Sequence, residues 1–177
     1  KSTEDAKREI DKLLEELEET IRRAEDRSRR LNEDLARTLK RIEEELKRIN
    51  EEVEKRGVSE KLLEDLRRST EELKRSLREL LRRLEESSRR LKERAKRLLA
   101  ELERIVEELK RALDDNISDE LLKKLLDELR ELIDRIRRDL ERLLREHEEL
   151  IERIKRTLEE LLRRHRELVK RIEETAR

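Results

Sequence analysis

The sequence predicts an all-α fold: a long antiparallel up-down-up bundle of three nearly straight helices. Three observations point to it. The 177 residues include one Gly and no Pro, so the residues that punctuate strands and loops are almost missing. Apolar residues recur at steps of three and four along nearly the whole chain, the signature of an amphipathic helix. Two short stretches interrupt that pattern and divide the chain into three segments of nearly equal length. Charged residues make up 56 % of the chain, which raises the question of disorder. Leu, Ile and Val nevertheless total 50 residues, above the roughly 20 % level below which a chain cannot bury enough apolar surface to order itself.

The first segment is expected to be helical over residues 3–55, opened by a weak capping box formed by Ser2 with Asp5. It ends at "RGVS", Arg56–Ser59. Gly57 can take the left-handed conformation that closes a helix, and Ser59 can cap the next one. Val58 before the cap and Leu63 four residues beyond it have the spacing of a hydrophobic staple. The second helix is expected over 60–114 and ends at "DNIS", Asp115–Ser118. There Asn116 takes the place of Gly, Ser118 caps, and Ile117 staples to Leu122. The third helix is expected over 119–176. Turns this short permit only antiparallel neighbours, so residues 1–177 are expected to form one three-helix domain.

The apolar period sets the geometry. In the second helix the seam runs through residues 66, 70, 73, 77, 80 and 84, then repeats the same steps from 84 to 102. In the third it runs 122, 125, 129, 132, 136 and 140, then repeats from 140 to 158. Both recur every eighteen residues, or five turns at 3.6 residues per turn. A seven-residue repeat drifts against that value and forces a left-handed supercoil; an eighteen-residue repeat imposes none. Doubled slots obey the same period: Leu62-Leu63, Leu80-Leu81 and Leu98-Leu99, then Leu125-Leu126, Leu143-Leu144 and Leu161-Leu162. Doubling widens the stripe so that one helix can touch two neighbours, which a three-helix core requires.

Polar residues enter the stripe at the same spacing. His147 and His165 share an LLRxH frame, and their neighbours three and four residues away are all Leu, Ile or Val. Both imidazoles are therefore expected to point inward. The second helix replaces its doubled leucines by Ser69-Thr70 and by Ser87-Ser88, and the first carries Asn32 and Asn50. The second turn implies that facing residues of helices two and three have numbers summing to about 233. Ser87 with His147 and Ser69 with His165 each give 234. The first turn implies about 115 for helices one and two; Asn32 with Ser87 and Asn50 with Ser69 each give 119, about one turn away. Two copies of one buried polar layer are expected: Asn32, Ser87, Ser88 and His147; and Asn50, Ser69, Thr70 and His165. Ser28 is an optional member of the first. A third level at the stripe edge would pair Thr38, Ser76 and Thr157.

Composition narrows the function classes. Fifty basic and fifty acidic residues give a net charge of zero, so no overall field steers the chain toward nucleic acid or an anionic membrane. Without aromatic residues nothing can stack on a base. No apolar run approaches a membrane span, and no Cys is present for thiolate chemistry. The two histidines lie about 27 Å apart on one helix at 1.5 Å per residue and cannot share an ion. One imidazole with hydroxyl and amide groups is a poor ligand set for zinc or copper. A Ser–His pair in mid-helix lacks free backbone N–H groups to stabilise an oxyanion. No metal, cofactor, small molecule, nucleic acid or membrane is therefore expected as a partner, and no enzymatic activity.

The whole chain resembles de novo designed straight three-helix bundles that carry buried hydrogen-bond networks. The residues that carry the resemblance are the eighteen-residue recurrence of Leu-Leu, Ser-Ser/Ser-Thr, Asn and His, the turns "RGVSEKLL" and "DNISDELL", and a surface restricted largely to Glu, Lys and Arg. The absence of Phe, Tyr, Trp, Met, Cys and Pro belongs to the same pattern. The resemblance implies a soluble, very stable monomeric scaffold without a natural substrate, cytoplasmic if expressed in a host. The alternative is an interaction module that accepts a further helix or self-associates into a larger bundle. Spectrin-like natural three-helix repeats differ in having core aromatics and less regular spacing. A core of leucine alone tolerates register slips, whereas a buried polar layer loses roughly 1–3 kcal/mol per unsatisfied group when misaligned. The polar layers are thus expected to specify register.

Overall fold

The protein, described over residues 3–176 by a computed structural model, consists of α1 (Thr3–Lys55), α2 (Glu60–Asp114) and α3 (Asp119–Ala176). Strands are absent among the described residues. The helix limits coincide with those expected from the two interruptions. Ser2 of the first capping box lies outside the described residues.

Both turns end and restart the helix by the expected chemistry. Gly57 has φ of 69° and Asn116 has φ of 57°, the left-handed region that glycine enters freely and asparagine tolerates. The Leu62 amide donates to Ser59 Oγ at 3.4 Å, and the Leu121 amide donates to Ser118 Oγ at 3.2 Å. Each serine thereby satisfies a first-turn N–H that has no intrahelical acceptor. Val58 packs against the cluster around Val53 and Leu66, which Leu62 also covers and which does not include Leu63, the staple partner expected for Val58. Ile117 packs against the cluster that includes Leu122, as expected.

The chain divides into two compact units, Lys1–Arg29 with Ser87–His147, and Arg30–Glu86 with Glu148–Arg177. The first has a core drawn from all three helices, with Ile10, Leu17, Leu102, Leu113, Ile133 and Leu140 among its buried members. The second holds two clusters. One is built around Leu35, Leu77, Leu84, Ile151, Ile154 and Leu158; the other, around Val53, Leu66, Val169 and Ile172, lies near the first turn. Full burial of such a side chain contributes roughly 1.5–3 kcal/mol, and this is the main force holding the helices together.

Four of the six doubled slots behave as a widened stripe should. Both members of Leu62-Leu63, Leu80-Leu81, Leu98-Leu99 and Leu143-Leu144 are half-buried, whereas single seam positions such as Leu66, Leu84 and Leu102 are buried. In Leu125-Leu126 and Leu161-Leu162 the second leucine is itself buried and the first half-buried. Adjacent residues on a helix point about 100° apart. In the four slots with two half-buried members the pair therefore straddles the seam, each member covering one edge.

Cross-helix ion pairs keep a constant register within each unit. Between the parallel helices α1 and α3, Glu9 pairs with Arg130, Glu16 with Arg137 and Glu45 with Arg166, always 121 residues apart. Between α1 and α2, Lys7 reaches Asp114 and Lys110 reaches Asp11, both at 2.6 Å, and both pairs of numbers sum to 121. The α1–α2 contacts thus differ by six from the 115 implied by the first turn, whereas Arg94 with Asp139 keeps the 233 implied by the second.

Candidate functional site: a polar chain through the core

The second unit contains a continuous chain of hydrogen bonds that crosses all three helices. His165 on α3 is 1 % exposed. Its Nε2 lies 2.9 Å from Asn50 Oδ1 on α1, and its Nδ1 lies 3.0 Å from Ser69 Oγ on α2. Asn50 Nδ2 in turn donates to Thr70 Oγ1 at 2.9 Å, and Thr70 Oγ1 donates to the Leu66 carbonyl at 2.9 Å.

The donors and acceptors fix one another. Thr70 spends its only proton on Leu66, so it must accept from Asn50. Asn50 therefore presents its amide nitrogen to Thr70 and its carbonyl oxygen to His165. That oxygen can only accept, so His165 carries its proton on Nε2. Nδ1 then accepts from the Ser69 hydroxyl. Every polar atom along the path has a defined role with a neutral imidazole, as a buried polar group requires. Burial pushes the His165 pKa below its ordinary value of 6.5, because the cationic form would lose its hydration.

Ser69 and Thr70 take different partners because they are consecutive on α2. Their side chains diverge by about 100°, so Ser69 faces α3 while Thr70 faces α1. Sequence spacing puts Asn50 in one layer with Ser69 and Thr70 and sets it nearest Ser69 by register; the bond goes to Thr70. The Leu66 carbonyl is not legible from spacing as the end of the chain. Thr at helix positions often bonds to the carbonyl four residues back, and that habit is the signal that could have found it.

Eighteen residues away on α3 the first unit repeats the central contact. His147 is 1 % exposed and its Nδ1 lies 3.0 Å from Ser87 Oγ. Ser28 is buried in the same unit, Ser88 is half-buried, and Asn32 is half-buried on α1 within the other unit.

The third level does not form a buried layer. Thr157 is exposed, because it is one residue outside the seam position held by Leu158. Thr38 is half-buried and its hydroxyl donates to the Asp34 carbonyl of its own helix at 3.1 Å. Ser76 is half-buried at the stripe edge. Matching sums put these three at one height, but height alone does not bring side chains to the same face.

Chemically, the Ser69–His165–Asn50 order resembles a nucleophile, a base and an orienting group. Both ring nitrogens are occupied by protein partners and the ring is shut off from solvent. Among the described residues no group of three or more His, Cys, Asp or Glu is placed to hold a metal ion, and no helix is long and apolar enough to cross a membrane.

The chain is similar to a solved structure described as "Computationally designed three helix bundle", with 24 % sequence identity, covering 98 % of this chain and 86 % of that one at a TM-score of 0.30. No protein-family model matches the chain, and no curated protein matches it. The three-helix, all-α fold is carried by the chain's own helices and cores.

Proposed function

We propose that this protein is a designed structural scaffold without a natural catalytic activity, and that its buried polar groups specify helix register. The observation that carries this reading is the polar chain from Ser69 through His165 and Asn50 to Thr70 and Leu66. It recruits all three helices, satisfies each group in turn, and repeats its Ser–His contact at the period of the leucine core. A shift of α3 by one turn would place a leucine opposite Ser69 and Asn50. Two or more buried groups would lose their partners, at roughly 1–3 kcal/mol each.

In this reading residues 1–177 fold as one cooperative domain and the molecule works as a monomer. Sedimentation equilibrium tests the second statement: a mass of 21.8 kDa that stays constant with concentration is expected. A mass that rises with concentration would favour the alternative of a helical module that self-associates. Denaturant unfolding followed by circular dichroism, together with hydrogen exchange in each unit, tests the first; two separated transitions would overturn it.

A further inference from the structure

Zero net charge conceals a strong separation of charge within the first unit. Residues 89–97 of α2 carry six basic side chains and one acidic one, Glu93. The facing stretch of α3, residues 135–145, carries five basic side chains against Asp139 and Glu141. The Arg94–Asp139 contact, at 3.1 Å, holds the two stretches at one level. On the α2 and α3 stretches eleven basic groups thus stand against three acidic ones. The compensating acid lies on α1: residues 4–19 hold eight carboxylates and three basic groups, and Glu16 reaches Arg137.

The acidic residues of α1 pair with the nearest arginines, Glu16 with Arg137 and Glu19 with Arg22 and Arg23, so the basic excess belongs to the facing stretches of α2 and α3. Zero net charge, which argues against steering at long range, says little about this surface at contact.

Between α2 and α3 the basic level opens into a groove of about 610 Å³. Arg94 lines it from α2, and Arg135, Arg138, Arg142 and Arg145 line it from α3. Those four positions follow i, i+3, i+7 and i+10 spacing, one face of the helix. Asp139 is held by both Arg94 and Arg142 and organises the cluster without neutralising it.

We propose that this groove binds the phosphate backbone of duplex DNA without preference for base sequence. Nine of the eleven basic groups on these two stretches are arginine, whose planar fork pairs with phosphate oxygens through two parallel bonds. Single strands are disfavoured because no aromatic ring is available for stacking. A lipid surface is disfavoured because the exposed side of this level has no large apolar group to insert; among the described residues the exposed large apolar one is Leu121, outside it. The α3 stretch from 135 to 145 spans about 15 Å. One DNA strand presents a phosphate every 3.4 Å of helix axis, so roughly four phosphates fall within reach.

Fluorescence anisotropy with the full chain and a labelled duplex of about 24 base pairs tests this. Saturable micromolar binding is expected in about 25 mM NaCl, weakening with a log–log salt slope near −3.6 for four phosphates. Replacing Arg135, Arg138, Arg142 and Arg145 by Gln should weaken binding at least tenfold and flatten the slope. Replacing the same four by Lys should retain the slope. Replacing Arg41, Arg48, Arg67 and Arg78 of the second unit by Gln should change affinity less than twofold. The proposal is overturned if the unaltered protein does not bind duplex at 100 µM, or if a single strand of equal length binds as tightly. It is equally overturned if the second-unit variant weakens binding as much as the groove variant, or if anionic vesicles bind while the duplex does not. Should the Gln variant fail to fold, the salt slope, strand preference and Lys variant decide the matter.

Discussion

His165 Nε2 donates to Asn50 Oδ1 across 2.9 Å, and this bond ties the parallel helices α1 and α3 together through a group that must stay neutral. With Nε2–H committed to Asn50 and Nδ1 accepting from Ser69, a second proton could enter only by reversing the Ser69 hydroxyl and charging a ring that is shielded from water.

A pH dependence follows, with its sign. The folded pKa of His165 lies below 6.5 because of burial, whereas the unfolded chain titrates near 6.5. Below that value the unfolded state binds the extra proton first, so stability is full above about pH 6.5 and falls as the pH drops through it. One such proton changes stability by at most about 1.4 kcal/mol per pH unit. Urea midpoints between pH 8 and pH 5 should decline for the unaltered protein and decline less for His165→Leu. Asp34, Glu79 and Glu160 are held below their ordinary range by hydrogen bonds from Arg37, Arg82 and Arg163 respectively. Their protonation weakens the fold only at lower pH, which keeps the histidine window separate. Equal pH slopes in both proteins would remove His165 as the cause.

The polar chain predicts strong non-additivity. Asn50→Leu alone strands His165 Nε2–H and a Thr70 lone pair, and should cost about 1–3 kcal/mol. Adding Ser69→Ala, Thr70→Val and His165→Leu removes every stranded partner and should recover most of that loss, since an apolar replacement of a complete network is often neutral or stabilising. Chemical denaturation of both variants measures the difference. A quadruple variant weaker than the sum of its four single changes would contradict the picture of a mutually satisfied unit.

The helix limits, both turns and the α2–α3 register are legible in the sequence, because each depends on local residue chemistry or on a period that tolerates no slip. The eighteen-residue period together with the register set by the second turn is enough to pair Ser69 with His165 and Ser87 with His147. The division of labour between Ser69 and Thr70 is not legible, since it depends on which neighbour lies on each side of α2, and a one-dimensional pattern does not contain handedness. Thr157 shows the complementary failure: its height suits Thr38, but it falls a residue outside the seam. The basic level of the first unit is hidden differently. Its arginines belong to two stretches that are far apart in sequence, and each stretch alone reads as solvated helix surface.

Thr70 and Thr157 offer a direct contrast between two residues of one type. Thr70 is buried and sits between Asn50 and Leu66; Thr157 is exposed. Thr70→Val keeps the shape but leaves the Asn50 amide without its acceptor, for an expected loss of about 1–2 kcal/mol. Thr157→Ala should stay within about 0.5 kcal/mol of the unaltered protein, as exposed substitutions usually do. Paired thermal or urea melts are sufficient, and equal losses at the two positions would place Thr157 in the core after all.

The two left-handed turn residues predict a graded series of responses to substitution. Gly57 has φ of 69°, and a Cβ built there meets no atom within 4 Å. Gly57→Ala therefore adds no clash, only the backbone penalty for a left-handed L-residue, about 1–2 kcal/mol. Asn116 already carries that penalty in reduced form at φ of 57°. Asn116→Gly relieves it while adding entropy to the unfolded chain, two effects of similar size, so the net change should be about a few tenths of a kcal/mol. Asn116→Val combines a β-branched side chain with the left-handed region and should be the most damaging of the three. Denaturant midpoints should follow the order Asn116→Gly, Gly57→Ala, Asn116→Val from most to least stable. An Asn116→Val protein as stable as the unaltered one would mean that the second turn can close without a left-handed residue, and left-handed closure would then not be what ends α2.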